Sequence, residues 1–290
     1  MIKERNKITD HILGLSGNYQ VKSWAFMASW SFALCCLASY LTVFVGPGAN
    51  GSGIAELMAY LNGVNYPNLI GWKTYLVKMF CVILGIAGGL CIGKEGPLAH
   101  IGACTAIMVI YYTPIKDFDY FKNDSNKREM VCAGISAGVS AAFGAPIGGA
   151  LFSFELSKSS TSFWTFAMLW RTFFCCSVST FTLSFLNQVV SNGWGGLELS
   201  VAGTLKFGDL GGIQLPLSQI YGAVILGIMG GCAGALFITV STYMSFYRKK
   251  WVNTPTRKII ELGMFGAITI SVMFLLVTHL CSCKPVPDED

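Results

Sequence analysis

The chain has 290 residues, 53% of them hydrophobic and only 12% charged, with a mean hydropathy of +0.57. Soluble domains carry roughly 25% charged residues, so this composition excludes an ordinary soluble globular protein and points to a multi-pass membrane protein. The formal net charge of +5 is a signal of membrane orientation rather than a nucleic-acid footprint, because the basic residues lie in short segments between apolar runs.

The first 20 residues, MIKERNKITDHILGLSGNYQ, are polar and show no pattern of a cleavable leader, so none is expected in them. They read as a cytosolic segment, followed by a transmembrane region over residues 21–280 and a polar tail over 281–290. Apolar runs that approach or exceed the ~20 residues needed to cross the hydrocarbon core fall near residues 24–45, 75–92, 163–190, 220–246 and 259–280. Basic residues gather at the N-terminus, in KDFDYFKNDSNKRE from Lys116, and in YRKKWVNTPTRK from Tyr247. The positive-inside rule places these three in the cytosol and the stretch SNGWGGLELSVAGTLKFGDLGGIQLP, residues 191–216, on the opposite side. Glycosylation sequons at Asn50 and Asn123 abut an apolar run and a basic loop respectively, and are discounted.

Of the eleven cysteines, nine (Cys35, Cys36, Cys81, Cys91, Cys104, Cys132, Cys175, Cys176 and Cys232) lie within apolar stretches, where a free thiol acts as a small hydrophobe. None has zinc-ligand spacing, and Cys281 with Cys283 is the one disulfide candidate. No nucleophile–base set, metal cluster or nucleotide loop is present, so neither an enzyme nor a metal or organic cofactor is expected.

Between residues 51 and 157 the clean spans give way to short apolar stretches broken by Gly and Pro: GSGIAELMAYLNG, GKEGPLAHIGACTAIMVIYY and AGISAGVSAAFGAPIGGALFSFE. Broken helices survive at membrane depth only inside protein or along a watery cavity, and transporters aim such half-helix N-termini at anions. In the later spans, glycines such as those of GIMGGCAGALF suit close helix packing.

GSGIAE opens a helix with small residues and a hydroxyl at Ser52. Unobstructed N–H groups plus the helix dipole make an anion site without a full positive charge; the plain alternative is an N-cap serine. GKEGP places Glu95 at a second helix start, with Pro97 in the first turn. That carboxylate either occupies an anion site as a tethered surrogate or caps the dipole at a membrane surface. The third stretch repeats the pattern with Gly144, Ala145, Pro146, Gly148 and Gly149.

Together, GSGIAE, GKEGPLAH and AGVSAAFGAPIGGALFSFE resemble the GSGIPE, GKEGP and GxFxAPxGGxLFxxE-type signatures of the CLC family of voltage-gated chloride channels and chloride–proton antiporters, in family order and spacing. FWTFAMLWRTFF and STFTL are similar to the lysosomal/late-endosomal and plant-vacuolar branch, which implies an endosomal, lysosomal or vacuolar membrane. The resemblance implies an all-α polytopic fold of tilted and broken helices in inverted repeats. It also implies a homodimer in lipid, with one path per subunit for chloride and, in exchangers, protons. Chloride would be held at Ser52, Gly53 and Ile54, and Glu95, within Gly93, Lys94, Gly96 and Pro97, would gate it.

Three departures qualify the resemblance. Ala55 replaces the family's proline, while Ser52 is kept as in chloride-preferring members. Leu156 stands where exchangers of this branch carry a second, proton-passing glutamate, so the proton-relay position is lost and uncoupled transport is favoured. The chain is expected to be partial: the first inverted repeat and the start of the second, without the later GxFxP-type motif, the chloride-site tyrosine, the cytosolic CBS domains or the first helices. The alternative function is an incomplete, non-conducting subunit that dimerises with a full-length relative.

The remaining candidates have modest expected roles. His100 reads as a packing or hydrogen-bonding residue or a local proton relay. Glu56 reads as a first-turn carboxylate, and Glu155 as a buried, paired acid or an alternative proton acceptor. Lys94 biases anions or anchors a helix end, and Lys158 and Arg171 mark cytosolic span ends. The aromatic stretch FWTFAMLW reads as an interfacial belt.

Overall fold

The structure is a computed structural model that describes residues 19–113, 116–157, 165–192 and 219–280. The bulk of the predicted segment 1–20, all but the first two residues of the stretch 191–216, Lys158, and the tail with Cys281 and Cys283 lie outside these residues. Among the described residues every regular element is helical, as the all-α reading requires. The chain divides into two compact units, residues 206–258 and the remainder.

Helix α1 (Tyr19–Tyr40) runs through a π-helical turn at Leu41–Val45. It stops where Pro47, which has no N–H to donate, opens a 3-10 turn over Pro47–Ala49. Then come α2 (Ile54–Leu61), α3 (Trp72–Ala87) and α4 (Glu95–Tyr112). A 3-10 segment (Lys116–Lys122) leads to α5 (Asp124–Phe143), α6 (Pro146–Ser157) and α7 (Phe166–Asn192). Helices α8 (Gln219–Trp251) and α9 (Pro255–Leu280) complete the chain.

Val21–Val45, Phe166–Val190, Ile220–Trp251 and Pro255–Val277 are long and apolar enough to cross a membrane, matching four of the five predicted runs. The run near 75–92 is corrected. Its helix, α3, has 16 residues, which at 1.5 Å per residue is about 24 Å, short of the ~30 Å hydrocarbon core. Gly88 and Gly89 end it, the latter at φ +81°, a left-handed conformation that glycine adopts without steric cost.

The larger unit is held by backbone-to-backbone approach at glycines. Gly102 of α4 and Gly134 of α5 lie so close that a Cβ on either would overlap the other's carbonyl oxygen, and Gly138 faces the Leu98 carbonyl in the same way. Small residues thus do for this interface what side-chain burial does in water, since lipid supplies no hydrophobic drive between helices. On the other face of α5, Gly149 of α6 seats against the Ser136 carbonyl and Ser140. Hydroxyls tie α5 to its neighbours: Ser136 bonds Ser153, Ser140 Oγ donates to Cys176 O (3.2 Å) and Ser179 Oγ to Ala137 O (3.0 Å). A small apolar core of Leu57, Leu61, Ala99, Ala103, Ile135, Val139, Leu156 and Met168 sits where α2, α4, α5, α6 and α7 meet.

Helix α9, from Ile259 on, packs on α1 through Gly263 and Gly266, which face Phe32, Cys35 and Cys36. Trp24 Nε1 donates to Ser271 Oγ at 2.9 Å across the same pair. In the smaller unit, the last turn of α8 carries Arg248, Lys249 and Lys250. Among the described residues of that unit, a Cβ on Gly222, Gly227, Gly230, Gly231 or Gly234 would meet no atom within 4 Å.

Candidate anion site at two helix starts

The first two motifs, GSGIAE and GKEGP, meet in space although 36 residues separate them. The turn before α2 needs Gly51 at φ +63° and Gly53 at φ +84°, both left-handed, and this coils the chain tightly around Ser52. On α4, Gly96 is buried, and a Cβ there would fall 2.9 Å from Ser52 Cβ and 3.2 Å from Ile54 Cδ1. Any larger residue at 96 would force the two helix starts apart. Gly53 is likewise pressed against the imidazole of His100, where a Cβ would overlap Nδ1.

At this junction two of the turn's amides are free. Ser52 Oγ accepts a long bond from Ile54 N–H, 3.4 Å, a weak version of the N-cap role. Gly51 N–H is taken by Asn50 Oδ1 at 3.0 Å. Among the described residues, the N–H groups of Ser52 and Gly53 have no acceptor in the chain. With the first-turn donors of α2, they form a small concentration of positive partial charge. Ser52 itself is exposed.

Glu95 is the first residue of α4 and the acidic residue of its first turn. Its half-exposed carboxylate turns back over Gly93, where a side chain would collide with Oε2. Lys94 is exposed at the N-cap, and Pro97 lies in the first turn. Glu56 occupies the first turn of α2 as expected.

Lys78 belongs to none of the motifs, yet it organises the turn. It is 2% exposed, and its Nζ donates to Ala49 O at 3.0 Å and Gly51 O at 2.7 Å. In a trans peptide the carbonyl and the following N–H point opposite ways. Drawing the Gly51 carbonyl onto the ammonium therefore turns the Ser52 N–H away from it. The signal for Lys78 was a lone ammonium inside LVKMF, and an ionisable residue at such a position is costly without a purpose.

The third motif does not join this junction directly. Gly144, at φ +68°, ends α5 and Pro146 opens α6. Gly149 is consumed in packing on α5, and the nearest atom to a Cβ on Gly148 is Ala145 Cβ at 3.6 Å. Leu156 is buried in the small core. Glu155 is exposed, which corrects the expectation of a buried acid: the ~100° between successive helical residues sends one inward and the other out. Arg171, expected at a span end, donates from Nη1 to Glu129 Oε2 at 3.1 Å. Among the described residues no cluster of His, Cys, Asp and Glu has the makings of a metal site.

Comparison with known proteins agrees with this architecture. The chain is 36% identical over 282 residues to the H(+)/Cl(-) exchange transporter 7 of Mus musculus, covering 94% of this chain and 34% of the relative. It is 36% identical over 286 residues to chloride channel protein CLC-c of Arabidopsis thaliana, covering 94% and 36%. It thus spans about a third of the length of these curated relatives. Among solved structures it superposes on a slow cyanobacterial Cl-/H+ antiporter with a TM-score of 0.72 at 21% identity, over 94% of this chain and 57% of the other. A eukaryotic CLC transporter gives 0.69 at 21% identity, over 93% and 44%. The family profile described as voltage gated chloride channel matches residues 34–284, and the chain belongs to the CLC family of voltage-gated chloride channels.

Proposed function

We propose that this chain contributes the anion-binding half-site of a chloride transport path. The supporting observation is the apposition of Ser52 and Gly96, which brings two helix starts together with unpaired amides between them. Dipoles and amides hold an anion without the full charge that would trap it. In this reading Ser52, Gly53 and Ile54 contact chloride, and Glu95, one residue from the Ser52–Gly96 contact, competes with it as a tethered carboxylate. Chloride is the substrate and no cofactor takes part. The full-length protein works as a homodimer in an endosomal, lysosomal or vacuolar membrane, a placement that rests on the branch the sequence resembles.

Transport in this reading is not coupled to protons in fixed ratio. A proton crossing an apolar interior needs a group that ionises reversibly at depth. Leu156, buried beside Leu57, Leu61 and Met168, has no such state, and Glu155 lies on the exposed side of α6. The test is full-length protein in liposomes under a chloride gradient, with proton movement followed by a pH electrode. Uphill proton flux in constant ratio to chloride would sink the uncoupled reading. In Glu95→Gln the anion path should stand open, with flux no longer dependent on pH or voltage; unchanged pH dependence removes Glu95 from the gate.

A further inference from the structure

Directly behind the Ser52–Gly53 turn lies a buried imidazole that the gate does not use. His100 stands five residues beyond Glu95 on α4 and is 0% exposed. Its Nε2 lies 2.9 Å from the carbonyl oxygen of Leu69. A carbonyl only accepts, so Nε2 carries the hydrogen, and in the neutral ring Nδ1 is left as a bare acceptor. Nδ1 is buried and has no hydrogen-bond partner. It is the atom nearest to the place where a side chain on Gly53 would stand. Buried acceptors almost always have a donor; this one has none and faces the turn with the two free amides.

We infer that His100 Nδ1 is a proton-binding site linked to occupancy of the anion site, an inference that rests on the reading of Ser52–Ile54 given above. Proton uptake forms one N–H bond at Nδ1 and breaks one O–H bond of a hydronium ion, which leaves as water; no bond in the protein breaks. The resulting imidazolium lies against the Gly53 turn and favours an anion on its amide face. By linkage, a bound anion favours that proton to the same degree. No proton has to cross the membrane for this, so uncoupled transport is compatible with it.

Burial of the ring is the first opponent of the added charge and the Leu69 carbonyl its first support; among the charged groups, Lys78 from α3 opposes it and Glu56 from α2 supports it. Cys104 lies one turn further along α4. Helix α5 presents the backbone of Gly134 and Gly138 to α4, which brings no charge. A bound anion therefore acts with Glu56 in offsetting the ammonium of Lys78.

The experiment uses full-length Glu95→Gln protein, in which the gating carboxylate no longer titrates. Chloride binding is measured by calorimetry between about pH 4.5 and 7.5, a range that reaches below ordinary imidazole titration because burial disfavours the charged ring. Affinity is expected to rise about tenfold toward acid, and to become independent of pH in Glu95→Gln/His100→Gln, whose amide keeps a donor for Leu69 without titrating. Lys78→Arg in the same background holds its charge at every pH used, so a slope that survives there does not come from the lysine. Adding chloride to weakly buffered Glu95→Gln protein should also draw protons from solution, a measurement that needs no change at His100. Binding that is flat with pH, no proton uptake, or a slope that persists without His100 overturns the inference while leaving the anion site standing. Absence of chloride binding at every pH overturns the anion site itself.

Discussion

Two helix starts of similar composition, GKEGP before α4 and GAPIGG before α6, end in opposite surroundings. The first is polar and enclosed on its inner side: Gly96 is buried on Ser52, His100 closes one side, and Lys78 grips the carbonyls of Ala49 and Gly51. The second packs Gly149 on α5 and turns the Ile147–Gly148 side outward. Ile147 is 65% exposed and Phe166 75%, and these two with Ala150, Leu151, Leu169, Trp170 and Phe173 line an apolar cleft of about 300 Å³. Glycine and proline at a helix start therefore specify only that the chain can begin a helix in a tight space. What that start does is decided by the element brought against it. Where the neighbour is another helix start with free amides, the result is an electropositive junction; where it is the apolar side of α7, the result is a greasy surface.

The largest expected effect is at the glycine contact that holds the enclosed region together. Gly134→Leu drives a side chain into the Gly102 carbonyl and the Ala106 side chain, and backbone cannot yield as a flexible side chain can. No monodisperse protein is expected on size exclusion in detergent; a normal yield would show that α4 and α5 do not meet as described.

Next is Lys78→Met. It leaves the Ala49 and Gly51 carbonyls without their buried donor, at about 1.5–3 kcal/mol for each charge-assisted bond. A lowered melting temperature together with lost chloride binding is expected. Lys78→Arg should recover part of both, since it keeps the charge but not the shape. Normal chloride binding in the methionine variant would separate the ammonium from the site.

A narrower comparison lies within the GAPIGG start itself. A Cβ at Gly149 would sit 2.6 Å from the Ser136 carbonyl oxygen, while one at Gly148 meets its nearest atom at 3.6 Å. Gly149→Ala should cost roughly 1–3 kcal/mol by overpacking, and Gly148→Ala should be neutral or slightly favourable in a helix. Equal thermal shifts would place the α5–α6 contact elsewhere.

The smallest structural effect belongs to Ser52→Pro. This change removes both the hydroxyl and one of the free N–H groups at an exposed position. The fold should persist while the chloride/nitrate flux ratio moves toward nitrate. An unchanged ratio in conducting protein would return Ser52 to simple helix capping.

Much of this molecule was legible in local sequence. Four spans followed from apolar length alone, because a bilayer accepts only a long run with its own hydrogen bonds satisfied. The broken region followed from Gly and Pro, whose backbone limits are intrinsic, and Ser52, Glu95 and Gly96 stood out as helix-start residues. The sequence could not say that Gly96 would press on Ser52 rather than on lipid, nor that GAPIGG would turn its Ile147–Gly148 side outward. It also hid the short α3, ended at Gly88–Gly89, and the exposure of Glu155, whose helical phase is set by what α6 packs against. Above all it hid Lys78, and it named His100 as a hydrogen-bonding residue or proton relay without its partner. Their partners, Ala49 and Leu69, lie 29 and 31 residues away. Hydropathy and spacing report what each residue prefers, whereas a buried ammonium or imidazole is tolerated only through the atoms that folding delivers to it.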